Sequence, residues 1–403
     1  MPAIGSSPVK SWLLAFVGLF AASPAICSRY LVTWAMETRD PSSPMPPAGS
    51  MGRDFLAVFD IERGSPRFEK LVAMLPVPGA ARMAHHSNYE MPSDRMLFAS
   101  DYMSGRGFVF DVRKPELPRL AASFSDAGAY THPHSFARLP NGHTLATFQF
   151  KGEPDREAGA LVELDDQGRM IRSSDAADST VEPFIRPYSL LVLPKIDRVV
   201  TTSADMLPAN QSSHVVQVWR LSDLRLIKTV VLPKAPHFGD VVSKGATEAR
   251  VLADGKSVLV VTGACGLYRM TGLESSSPAA EFVYDFGYRA CGVPVVAGRY
   301  WVQTTMGGHS LVSLDVSDPS TPREAGHLVF DPGALPHWVS REPDGNRLAI
   351  TGYGSLTTRL LLAKIDFRTG ALNLITQIDF SRRWPDGWNG PAMPHAAVFS
   401  PSD

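Results

Sequence analysis

Cysteine is scarce in this chain of 403 residues, at three positions, and net charge is almost absent, since 39 basic residues against 40 acidic ones leave −1. So even a balance gives no electrostatic reason to bind a polyanion, and nucleic acid is not an expected partner. The sequence has no phosphate-cradling glycine loop, no GxSxG nucleophile turn, no HExxH and no CxxC. The familiar signatures of nucleotide, serine-hydrolase, zinc-protease and dithiol chemistry are therefore missing. No helical period persists along the chain either. Disorder is excluded as well, because 44% of the residues are hydrophobic.

Long apolar runs are confined to the N-terminus, where Lys10 is followed by SWLLAFVGLF and then by AASPA. The run is too short to span a bilayer comfortably and Ser23-Pro24-Ala25 offers a small-x-small cleavage site. Residues 1–25 read as a secretory signal peptide and 26–403 as the mature protein, with an uncleaved anchor as the other reading. Either way the body of the protein is expected outside the cytoplasm, periplasmic or secreted, and without a stable membrane partner once cleaved. An oxidising compartment would permit a disulfide between Cys265 and Cys291, which their spacing does not decide. Cys291 taken alone reads as a buried structural thiol.

What is plentiful is glycine, at 32, and proline, at 33. Together they favour many short strands joined by turns. A degenerate phrase also recurs: a ring residue, a few residues, a Pro/Asp/Asn/Gly turn, then a strand. It opens at His86, His134, Tyr188, Thr247, Cys291, His337 and, in truncated form, His395, so the repeat runs to 44–59 residues. That is the length of a four-stranded propeller blade. The expectation is an all-β, seven-bladed β-propeller, closed by pairing the C-terminal strand with YLVTWAM, DFLAVFDI and KLVAMLPV in one blade. A pair of β-sandwiches would give no reason for seven copies.

The first strand of each blade lines the axis, so the seven opening residues should meet around one mouth of the channel. Four of the seven are histidine, and on a closed ring those four are consecutive. Imidazoles converging from separate strands suit copper, zinc, iron or nickel, and an all-nitrogen set is compatible with copper(II). His86, His134, His337 and His395 are the expected metal ligands, and His85 and His132 are spare ligands or partners that fix a tautomer. Polar filling is the plainer role for any single histidine. Glu248 could accept a proton and Arg250 could orient it or a substrate anion, or the two could simply form an ion pair.

The stretch from Asp54 to Ser87, ending in HHS, resembles the first conserved block of the selenium-binding protein family, which includes the copper-dependent methanethiol oxidases. FVFDVRKPELPRL, THPHSFARLPNG, HVVQVWRLSDLRLIKTVVL, DVSDPSTPREAGHLVF and GPAMPHAAVFSPSD are similar to further family segments, in order. The resemblance implies a seven-bladed propeller and oxidation of methanethiol by oxygen to formaldehyde, hydrogen sulfide and hydrogen peroxide. It carries metal binding onto His86, His134 and His395, and a Glu-x-Arg pair onto Glu248 and Arg250. Ala137 stands where the family has a further histidine, the cysteines after HHS and near the C-terminus are missing, and His337 is an addition. The expected function is copper-dependent oxidation of a small thiol or sulfur compound with O2. The alternative is a non-catalytic propeller scaffold that binds protein or small-molecule partners. A calcium- or zinc-dependent lactonase would want more carboxylates at the mouth than Glu248.

Overall fold

The computed structural model describes residues 1–2, 28–40, 51–79, 83–152, 157–181, 185–206, 213–235, 244–384 and 387–401. The expected signal peptide falls almost wholly within 3–27 and so lies outside the described residues. Among the described residues the strands form seven four-stranded antiparallel sheets. In blade one the innermost strand is Ala392–Phe399, followed outward by Tyr30–Thr38, Met51–Asp60 and Leu71–Pro76. Leu31 pairs with Phe399 and Trp34 with Ala396, so strands from the two ends of the sequence close the ring. This is the closure expected from the repeats, and it leaves no unpaired sheet edge between first and last blade.

The innermost strands of blades two to seven are Ala84–Ser87, Tyr130–Arg138, Pro187–Leu193, Ala246–Val251, Val295–Ala297 and Ala334–Arg341. Their side chains are mostly buried, whereas an outermost strand such as Arg119–Phe124 alternates exposed and partly buried positions. The difference follows from packing, since inner strands are covered by neighbouring blades and outer ones meet water on one face. Each apolar cluster is shared between adjacent blades: Val200, Val216 and Val218 of blade four pack with Ala249, Val260 and Tyr268 of blade five. Each fully buried Val or Leu contributes roughly 1.5–3 kcal/mol.

Hydrogen bonds join the blades near the axis. The hydroxyls of Thr147, Thr202 and Thr304 donate to the carbonyls of Tyr188 (2.8 Å), Thr247 (2.7 Å) and His337 (3.1 Å) in the next blade. Ser100 bonds the His134 carbonyl at 3.3 Å, and Thr351 bonds that of His395. In each case a hydroxyl on the second strand of one blade clasps the opening residue of the next. Cys265, in a turn of blade five, forms a disulfide with Cys291, which precedes the inner strand of blade six. Cys291 is thus a half-cystine stapling two blades, a correction to its reading as a free structural thiol.

Candidate metal centre

Nearly every opening residue sits at a β-bulge. Register shifts fall between Ala84 and Ser87, Pro133 and Phe136, Pro187 and Leu190, Ala246 and Glu248, and Pro336 and Trp338. A further shift in the pairing of Tyr30–Thr38 with Ala392–Phe399 skips His395. Proline precedes His134, Tyr188, His337 and His395. Lacking an N–H, it cannot continue a ladder, so it is at home in a bulge, and a bulge re-aims side chains. In a regular strand two consecutive residues would point to opposite faces. At this bulge the rings of His85 and His86 instead stack on each other, 4.3 Å between centroids.

The bulges bring five imidazoles together. His85 Nε2 lies 3.0 Å from His134 Nε2, and His85 Nδ1 lies 3.1 Å from His395 Nε2. The His86 and His134 ring centroids are 4.3 Å apart, and those of His337 and His395 are 4.9 Å apart. The expected quartet of His86, His134, His337 and His395 is thus assembled, with His85 between His134 and His395. One nitrogen each of His85, His86 and His134 falls within 4.8 Å of the others, a spacing that could hold a metal ion. His132 stands one ring away, its edge against Tyr102, which in turn contacts His85 and His134.

The donor chemistry suits a metal. His134 Nδ1–H donates to the Tyr188 carbonyl at 2.8 Å, which leaves its Nε2 lone pair facing the cluster. Desolvation pushes His134 down to about 3 and His337 to about 4. It also holds His85, His86 and His395 well below the ordinary histidine value, with neighbouring imidazoles adding to the effect. Neutral imidazole is the ligating form. His86 Nε2, both nitrogens of His337 and His395 Nδ1 are buried without a hydrogen-bond partner. An orphaned buried polar atom costs about 1–3 kcal/mol, so four of them in one cluster call for a ligand.

A polar chain leads away from the histidines. Ser135 Oγ lies 3.3 Å from His86 Nδ1 and 3.1 Å from His134 Nδ1, and the Tyr89 hydroxyl reaches it at 3.0 Å. Tyr89 also donates to Glu248 Oε1 at 3.0 Å, and Arg250 Nη1 donates to Glu248 Oε2 at 2.8 Å. Burial raises the Glu248 pKa, and the Arg250 charge pulls it partly back. The Tyr89 ring stacks on Trp338 on one side, and the Arg250 guanidinium lies 3.8 Å from its centroid. Tyr89 and Arg250 border a cavity of about 370 Å³ whose apolar lining includes Met91, Val192, Val296 and Val339.

Sequence reasoning named Glu248 and Arg250 near this mouth but missed Tyr89, Ser135 and Tyr353. Tyr353 has its hydroxyl 2.9 Å from His395 Nε2 and its ring packed 5.1 Å from that of His337. Tyr89 and Ser135 each follow a repeat histidine by one to three residues, but strand parity could not say which way a bulged segment would turn them. Tyr353 lies next to the end of the strand Arg347–Gly354, well along the chain from the opening residue of its blade, His337.

No protein-family model matches the chain. It is 24% identical to a methanethiol oxidase of Xenopus laevis over 209 residues, 45% of this chain and 43% of that protein. It is 26% identical to a methanethiol oxidase of Hyphomicrobium over 137 residues, 33% of this chain and 29% of that protein. The chain thus matches less than half the length of these curated relatives. It superposes on a hypothetical selenium-binding protein of Sulfolobus tokodaii with a TM-score of 0.69 at 14% identity, over 94% of both chains. With a periplasmic gluconolactonase of Pseudomonas aeruginosa the TM-score is 0.60 at 14% identity, over 93% of this chain and all of that one. At such identities the superpositions establish the propeller alone. The sequence matches make this chain similar, as a divergent relative, to the selenium-binding and methanethiol oxidase proteins.

Proposed function

We propose that this protein is a copper-dependent oxidase that uses O2 to oxidise methanethiol or another small thiol or sulfur compound, releasing hydrogen peroxide. The four buried, partnerless imidazole nitrogens of His86, His337 and His395 carry the reading. The likeness to methanethiol oxidases supplies the substrate class. The scaffold reading gives no account of such nitrogens.

His86, His134, His337 and His395, with His85 among them, would hold the metal. Bound copper would supply one-electron exchange with oxygen and a soft centre for sulfur. For methanethiol the reaction balances with one water: methanethiol, dioxygen and water give formaldehyde, hydrogen sulfide and hydrogen peroxide, one molecule of each. The carbon loses two electrons and dioxygen gains them. Glu248 is placed to accept a proton through Tyr89, since burial raises its affinity for one. Arg250 holds Glu248 by Nη1, while its buried Nη2 has no partner and can meet an acceptor on the substrate. Met91, Val192 and Val339 give the adjoining cavity an apolar wall that a small alkyl group fits. The Cys265–Cys291 disulfide and the apolar N-terminal run support export to the periplasm or beyond, with residues 1–25 as the signal peptide.

The test is copper content of the chain from Ile26 onward, beside His134→Ala, followed by an assay of peroxide release from thiols. Stoichiometric copper that is diminished in the variant, with peroxide formed from thiols by the parent protein alone, is expected. Metal-free protein after copper supplementation would remove the oxidase reading.

A further inference from the structure

Among the described residues, His85 is the imidazole with both ring nitrogens against other imidazoles, Nε2 at 3.0 Å from His134 Nε2 and Nδ1 at 3.1 Å from His395 Nε2. A neutral imidazole has one N–H and one lone pair, so the protons can be traced. His134 spends its N–H on the Tyr188 carbonyl, and its Nε2 faces His85 as a lone pair. His85 then carries its proton on Nε2 and offers a lone pair at Nδ1, and His395 must bring the proton to that second contact. Two protons are therefore shared between imidazole nitrogens, one at each end of His85.

A metal ion set beside each contact, off the line between its two nitrogens, would take over the lone pairs that the shared proton now joins. Two nitrogens about 2.0–2.1 Å from one metal lie about 3 Å apart when they are neighbouring ligands, and both contacts have that spacing. A third nitrogen waits at each end. Beside the His85–His134 contact is the partnerless Nε2 of His86, whose ring centroid is 4.3 Å from those of both partners. Beside the His85–His395 contact is His337, partnerless at both nitrogens, 4.9 Å from His395 between ring centroids. The Tyr353 hydroxyl is 2.9 Å from His395 Nε2 at this same end.

We infer that the centre is binuclear, with His85 bridging the ions. His85 Nε2, His134 and His86 take one ion, and His85 Nδ1, His395 and His337 take the other, with the Tyr353 hydroxyl alongside. Filling both places costs His85 its ring proton, which leaves to solvent, while His395 keeps its own by moving it from Nε2 to Nδ1. The inference rests on the copper reading of this cluster and adds the number of ions and the bridge.

The experiment loads the mature chain with copper(II), removes the excess, and compares total copper with the copper counted by electron spin resonance. Two copper ions per chain are expected, with a spin count far below the copper content, because two copper(II) ions joined by one imidazolate couple their spins. His86→Gln and His337→Gln should each keep one ion, fully visible in the spin count, with melts of the metal-free proteins showing that both variants fold. One ion per wild-type chain with all its spin detected overturns the binuclear centre and leaves the copper oxidase reading standing. Two ions with undiminished spin overturn the bridge. A wild-type chain that takes up no copper overturns both. The wild-type measurement decides the matter even if a variant fails to fold.

Discussion

Tyr89 donates its phenolic proton to Glu248 Oε1 across 3.0 Å, while Arg250 holds Oε2 at 2.8 Å. Glu248 is fully buried, so these two donors keep its charge tolerable in a place where desolvation alone would leave it protonated. Replacing Tyr89 by Phe leaves Oε1 without this donor. The expected cost is about 1–3 kcal/mol in a denaturant titration, with a further rise of the Glu248 pKa. Unchanged stability would mean that the carboxylate is satisfied elsewhere.

Glu248→Gln keeps the shape and the acceptor for Arg250 but cannot take up a proton. Oxidase turnover should fall by roughly 10²–10⁴-fold, the range for loss of a general base, while copper content per chain stays at the wild-type value. Turnover within twofold of wild type would remove Glu248 from proton transfer.

The metal-free protein should lose stability in mild acid. His85, His86, His134, His337 and His395 all have folded-state pKa values below the ordinary 6.5, His337 at about 4 and His134 at about 3. Below pH 6.5 the unfolded chain therefore binds protons that the folded chain refuses. The stability is fully present above that pH and is lost as the pH falls from 6.5 toward 4 and 3, each histidine giving about 1.4 kcal/mol per pH unit crossed. Thermal melts at intervals between pH 7.5 and 4.5 test this, and a flat profile would show the cluster to be solvated.

Gly292 lets blade six approach the strand that carries His337. A Cβ built there would lie 2.2 Å from the His337 carbonyl oxygen, a backbone atom that cannot swing aside. Gly292→Ala should push the His337 bulge out of place and lower copper retention, with the loss read as metal per chain after dialysis. Retention equal to wild type would show that His337 does not depend on this approach.

Reducing the Cys265–Cys291 bridge, which spans a sequence separation of 26, should cost about 3–4 kcal/mol from the freed loop entropy of the unfolded chain. The denaturant midpoint with and without reductant checks it, and Cys265→Ser should match the reduced protein.

The blade count, the ring closure and the gathering of histidines were legible because repetition is a property of the sequence itself. Seven opening residues at blade-length intervals are enough to place His86, His134, His337 and His395 around one axis. His85 was harder to place, because alternation along a strand would turn it away from His86, and only the bulge between Ala84 and Ser87 brings both rings to the same side. Tyr353 stayed hidden for another reason. It reaches His395 in the next blade from the end of a second strand, and no local pattern encodes a contact of that kind. The disulfide also depends on distance in space, with Cα atoms 5.1 Å apart, which spacing along the chain could not supply.

The ring closure also sets the order in which the imidazoles can gather. His85, His86 and His134 come from neighbouring blades formed by one continuous stretch of chain, whereas His395 arrives on a strand whose partners lie some 370 positions earlier, as in the Tyr30–Ser400 contact. Bringing such distant segments together is slow, because the entropy of closing the loop is lost before any contact rewards it. A half-assembled chain can bring three of these imidazoles together but not five, so the complete cluster exists only in a correctly sealed molecule.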